Sequence, residues 1–73
     1  MNKKKRLIET VQNLIGYYGY LSVVQDGEDV VVNAKSPRRC ITRPIIEELI
    51  DNADAYEFSF YVCEKGLVIY HQK

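Results

Sequence analysis

Histidine occurs once and cysteine twice in this 73-residue chain, and its charges cancel, ten basic residues against ten acidic ones. The single histidine, His71, rules out a histidine pair for zinc, and Cys40 and Cys63 are too far apart for a CxxC metal or redox motif. A small secreted scaffold would carry more cysteines, so both are expected as reduced thiols of a cytoplasmic protein. Non-specific nucleic-acid affinity comes mostly from neutralised phosphates, and zero net charge therefore argues against a general polyanion binder. The basic start MNKKKR resembles the n-region of a signal peptide, but Glu9, Thr10, Gln12 and Asn13 interrupt the apolar stretch that should follow. No run is long enough for a transmembrane helix, so neither export nor membrane association is expected. No catalytic, metal or nucleotide motif is present, which points away from an enzyme and requires no cofactor.

What the chain does contain is an internal similarity. Residues 5–35 lie over residues 43–73 without a gap at an offset of 38 residues (45 − 7), as when Leu7 falls on Ile45. Glu9/Glu47, Tyr18/Tyr56, Val24/Val62, Val30/Val68 and Lys35/Lys73 are identical across that offset. Helix, strand and turn signals superimpose as well, which carries more weight than identities in a chain rich in Val, Ile and Tyr. Residues 1–73 are expected to form one domain of two αββ pseudo-repeats, 5–35 and 43–73. A domain of this size buries only about 60% of its unfolded surface, leaving little core to line a deep pocket.

The local signals are explicit. Leu7, Ile8, Val11, Leu14 and Ile15 fall on one stripe of a helix, and Gly16 stands where a left-handed residue would end it. Tyr17 to Gln25 reads as a strand, Asp26-Gly27 as the positive-φ pair of a tight turn, and Val30 onward as the returning strand. In the second half Thr42 is placed to N-cap a helix with Pro44 in its first turn and Ile45, Ile46, Leu49, Ile50 and Ala53 on its apolar side. Tyr56 to Cys63 and Leu67 to His71 then read as strands around a three-residue Glu64-Lys65-Gly66 loop. These elements predict an α+β, two-layer sandwich: a four-stranded antiparallel sheet with both helices on one face. Composition makes the first and third strands the more buried, which predicts the order 2-1-3-4, with the first strand between the second and third.

Strand alternation at the 38-residue offset sends Tyr18, Tyr20, Ser22 and Val24, with Tyr56, Phe58, Phe60 and Val62, toward the helices. Leu21, Val23, Val31, Tyr61, Ile69 and His71 are then left on the open face, which is too apolar for a surface that meets only water. Strand propensity alone could put valine and isoleucine there, but the patch is expected to be an interface. A homodimer through this face or through an edge strand is the leading expectation, with another protein as the other candidate partner.

Two basic segments offer a different function. Arg38, Arg39 and Arg43 precede or open the second helix, where the dipole is already positive, and could hold a phosphate or carboxylate. Lys3 to Arg6 could follow a nucleic-acid backbone with Tyr17 stacked on a base, although no recognised nucleic-acid signature occurs. Solubility is the simpler use of both. Cys63 and His71 could share the open face as a nucleophilic couple, but no orienting third group accompanies them. The expectation is therefore a small non-enzymatic protein-interaction module, with nucleic-acid or phosphate binding as the alternative.

Overall fold

Both helical stripes form helices and both β-rich stretches form hairpins in the computed structural model, which describes residues 3–35 and 41–72, with side chains from Leu7 onward. The elements are α1 (Lys3–Ile15), β1 (Leu21–Asp26), β2 (Asp29–Ala34), α2 (Arg43–Tyr56), β3 (Phe58–Cys63) and β4 (Gly66–His71). Leu7, Val11 and Ile15 from α1 and Ile45 and Leu49 from α2 are buried, the i, i+4 spacing of one apolar stripe in each helix. The α+β character is as expected, and the four strands form a single antiparallel sheet.

Helix termination differs from the local signals. Gly16 does end α1, its N–H donating to the Gln12 carbonyl at 2.7 Å, but its φ is not left-handed. What demands glycine there is space, because a Cβ would overlap the Gln12 carbonyl. The left-handed cap is found on α2 instead, at Glu57, with φ 57 and ψ 49. Glu57 alone separates α2 from β3, so this strained residue turns the chain directly back onto the sheet. Thr42 occupies the N-cap position through its backbone, its carbonyl accepting from Ile45 and Ile46, while its side chain makes no cap.

The strand order is β1-β2-β4-β3, not 2-1-3-4. Val30 and Val32 of β2 and Leu67, Val68 and Ile69 of β4 are buried, so the short aliphatic strands occupy the centre. Aromatic content misled the expectation. Large rings reach the core from the rim, as Phe58 does, and those of Tyr61 remain outside. Between β2 and β3, which run parallel, lies β4 rather than β1.

Each hairpin closes with a two-residue turn, Gly27-Glu28 between paired Asp26 and Asp29, and Glu64-Lys65 between paired Cys63 and Gly66. In the first turn only Gly27 has positive φ, not an Asp26-Gly27 pair. In the second, Gly66 belongs to β4 at φ 124, and a Cβ there would overlap the Asn33 side chain and approach the Val32 carbonyl at 2.8 Å. That glycine lets β4 lie close against β2.

These closures place the strands at an offset of 37 residues (58 − 21), while the helix stripes keep 38 (45 − 7). One residue is missing between the second helix and its hairpin relative to the first. Side-chain direction alternates along a strand, so a slip of one residue exchanges the two faces. Leu21, Val23, Ile69 and His71, expected on the open face, are registered with Ala34, Val32, Val30 and Phe58 on the helix side. Leu21 and Ile69 are 6% and 0% exposed. Conversely Ser22 and Val24 face away from the helices, whereas Phe58, Phe60 and Val62 keep the expected side.

Two backbone positions test this description by urea denaturation. Glu57→Gly relieves a left-handed non-glycine residue and should raise the unfolding free energy by about 0.5–1 kcal/mol. Gly66→Ala should lower it by about 2 kcal/mol or more, because both φ and the Asn33 contact exclude a side chain.

Candidate functional site

The register assembles one apolar row across all four strands of the open face. Val24 pairs with Val31, Val31 with Val68, and Val68 with Tyr61. Tyr70 lies beside that row, its ring 5.8 Å from that of Tyr61. Of the residues expected to form an open-face interface, Val31 and Tyr61 are there. The open face carries Val24, Val68 and Tyr70 in place of Leu21, Val23, Ile69 and His71. Aligning the hairpin closures rather than the glycines would have found this set in the sequence, since Asp26/Asp29 and Cys63/Gly66 stand 37 apart (63 − 26).

A polar frame surrounds the row. Ser22 and Asn33 form the pair on one side and Asp26 and Asp29 the pair on the other. Asn33 donates through Nδ2 to the Lys65 carbonyl at 2.8 Å, and Lys65 Nζ lies 3.5 Å from Asp26 Oδ2. The Val24/Val31 pair lies between Ser22/Asn33 and Asp26/Asp29 in the register, and the Lys65 charge is held at the rim beside Asp26. Both ions are more than half exposed, and the pair contributes little to stability.

The edges of the sheet are unequal. β1 ends in Gln25-Asp26, and a shallow depression of about 420 Å³ beside it is lined by Gln12, Gly16, Leu21, Ser22, Val23 and Lys35. β3 reads Phe-Ser-Phe-Tyr-Val-Cys, without a charge or a proline. Natural edge strands are usually protected by lysine, proline, bulges or a covering element. Here the outer residues are conspicuously apolar: Val62 is 74% exposed, Tyr61 50%, and Ile50 on the helix above 58%.

The remaining candidates are not assembled into a site. Cys63 is on the open face at the turn of the second hairpin, whereas His71 is on the helix face at its far end, so the nucleophilic couple does not form. Arg43 is highly exposed and pairs with Glu47 at 3.5 Å; Arg38, Arg39 and Cys40 lie outside the described residues, as do the side chains of Lys3 to Arg6. Among the described residues no group of three or more His, Cys, Asp or Glu could hold a metal, and no helix is long and apolar enough to cross a membrane.

One aromatic cluster occupies the α1–β1 connection. Tyr17 and Tyr18 stack at 4.5 Å between ring centroids, and Tyr20 meets Tyr18 edge-on at 6.1 Å. Tyr18 ionises above the ordinary tyrosine range, first because a hydrogen bond with Tyr17 holds its proton, then through desolvation and the nearby charges of Tyr17 and Glu48. The cluster orders the connection rather than forming an acid or base suited to neutral pH.

The chain matches no family model, no curated protein and no solved structure.

The tyrosine cluster has a definite alkaline signature. The raised proton affinity of Tyr18 contributes to stability below the ordinary tyrosine range, and the contribution disappears as pH rises through Tyr18's own higher value. In a titration followed by tyrosinate absorbance, the Tyr18 step should lie above the ordinary tyrosine range. Tyr17→Phe should bring that step back toward the ordinary range.

Proposed function

We propose that this protein is a non-enzymatic protein-association module that forms a homodimer through the apolar surface gathered around β3. The observation that carries this reading is the combination at β3, an uncharged strand at the edge of the sheet formed by the described residues, of two strongly exposed side chains, Tyr61 and Val62. An isolated copy gains nothing by presenting these two side chains to water, and an edge strand without charge or proline is open to association with another chain. On the open face Tyr61 and Val24 are exposed at the two ends of the row, with buried Val68 and half-buried Val31 between them. Exposed apolar side chains gathered at one edge, here Tyr61, Val62 and Ile50, mark interfaces more often than they mark ordinary surface.

The scaffold fits that role. We read it as a tandem αββ repeat folded into a two-layer sandwich, a reading supported by the β2–β4 register. Shifting each member of the β2–β4 pairs by 37 exchanges Val30↔Ile69 with Val32↔Leu67 and returns Val31↔Val68 to itself. A pseudo-dyad through that central pair leaves the first strand of each unit at an outer edge. With one layer of core, a molecule of this size has more surface than pocket with which to act.

Sedimentation velocity from about 10 μM to about 1 mM should show a concentration-dependent monomer–dimer equilibrium, as expected for a small interface. A monomer throughout that range would overturn the homodimer.

A further inference from the structure

We propose that the outer edge of β1 and the depression beside it bind the free C-terminal segment of another protein, added to the sheet as an antiparallel strand with its carboxylate at Lys35. The site stands apart from the homodimeric reading above, since β1 and β3 are at opposite ends of the strand order. Backbone direction, the shape of the edge and its charge each lead to it.

Lys35 donates its N–H to the Tyr20 carbonyl at 2.7 Å, and the first hairpin turn closes on Asp26↔Asp29. Hydrogen-bonded and non-hydrogen-bonded pairs alternate along an antiparallel ladder, so Tyr20, Ser22, Val24 and Asp26 bond toward β2. The N–H and C=O groups of Val23 and Gln25 therefore point away from β2. Both residues are half-buried, and no other described strand pairs with β1 on that side. A peptide added as a strand takes its affinity from main-chain groups of this kind and its specificity from pockets for alternate side chains.

The row of outward groups has a definite end. Leu21 is buried, and its N–H is already taken by the Tyr18 carbonyl at 3.0 Å. The α1–β1 connection thus occupies the edge position beside Leu21, and a strand laid along β1 has to stop at Val23. An antiparallel strand reaches that point with its C-terminus, whereas a parallel one would begin there with its N-terminus. In either direction the site takes a chain end rather than the middle of a chain.

The depression of about 420 Å³ lies at this same point, between Gln12 and Gly16 at the end of α1, the first residues of β1, and Lys35 just beyond β2. Gln12 and Gly16 are one helical turn apart, and the missing side chain at Gly16 leaves room above the start of β1. Val23 faces the helix side with Val32. Directly paired residues share a face, so the ligand residue opposite Val23 turns its side chain toward the depression. A space near the lower end of the range of ligand pockets suits one terminal residue.

Charge selects the direction of the strand. Lys35 is exposed, and its side chain makes no ion pair among the described residues. A cation there attracts a terminal carboxylate and repels a terminal ammonium, which favours the antiparallel strand. At the opposite end of β1, Asp26, Glu28 and Asp29 gather at the turn, with Lys65 3.5 Å from Asp26. The edge is basic where the ligand ends and acidic where the ligand enters, so a tail with basic residues upstream of its carboxylate fits it best. A contact of only a few residues implies a dissociation constant on the order of tens of micromolar.

The test selects the full chain against a display library of random tails with free C-termini, then measures each recovered tail by fluorescence polarisation as the free acid and as the C-terminal amide. The acid should bind at least fivefold more tightly than the amide. Lys35→Glu should raise the dissociation constant at least tenfold by reversing the charge that meets the carboxylate. Gln12→Trp, at an exposed helix position, should fill the depression and weaken binding similarly while circular dichroism shows the fold intact. Val23→Pro removes an outward N–H and no bond to β2, with the same expected loss. Val62→Lys, on the other edge, should leave the constant within twofold while disrupting the homodimer. Recovery of no tail, equal binding of acid and amide, or binding indifferent to Lys35→Glu and Gln12→Trp would overturn the site, whatever sedimentation shows of the homodimer.

Discussion

The antiparallel pairing of β2 with β4, centred on Val31↔Val68, is the constraint from which the rest of this structure follows. It joins two hairpins that are each local and each too small to be stable alone. Once these central strands are joined, Val30, Val32, Leu67 and Ile69 make a continuous apolar floor for the helix stripes of Leu7, Val11, Ile15, Ile45 and Leu49. The same pairing determines the outside of the molecule. With β2 and β4 at the centre, β1 and β3 become edges, and the Val24–Val31–Val68–Tyr61 row becomes a single line across the uncovered face.

Close approach at that central seam carries its own requirements. Gly66 has a backbone conformation and a proximity to Asn33 that exclude a side chain, and the Asn33 amide then reaches the Lys65 carbonyl across the seam. At the end of α2, Glu57 accepts an unfavourable left-handed conformation so that Phe58 can follow almost immediately into the core. The short connection is also what changes the strand offset by one residue relative to the helices. Backbone strain at a single position is thus linked to which side chains of a whole hairpin face inward.

Much of the local structure was legible in the chain. The apolar stripes of both helices, the presence of two hairpins and the residues near their turns follow from periodicity and turn chemistry, which are short-range properties. The candidate surface was legible only in part. Val31 and Tyr61 were assigned correctly to the uncovered face, and Val23 and His71 were not, because an ungapped offset of 38 cannot register the residue lost between α2 and β3. The edge position of β3 was beyond local inference altogether. Phe-Ser-Phe-Tyr-Val-Cys has the composition of a central strand, and nothing within those residues states that it is last in the order of the described strands.

The sequence by itself determined where helices, strands and turns lie and that apolar residues would remain after one core was filled. Only the tertiary structure decided the strand order, the parity of the faces and the location of the exposed remainder at β3. The physical reason is range: helix stripes and two-residue turns are encoded over a few neighbouring residues, whereas the β2–β4 seam joins segments from opposite halves of the chain. Its choice of partner and register, with the period of two along a strand, converts a difference of one residue into a different molecular surface.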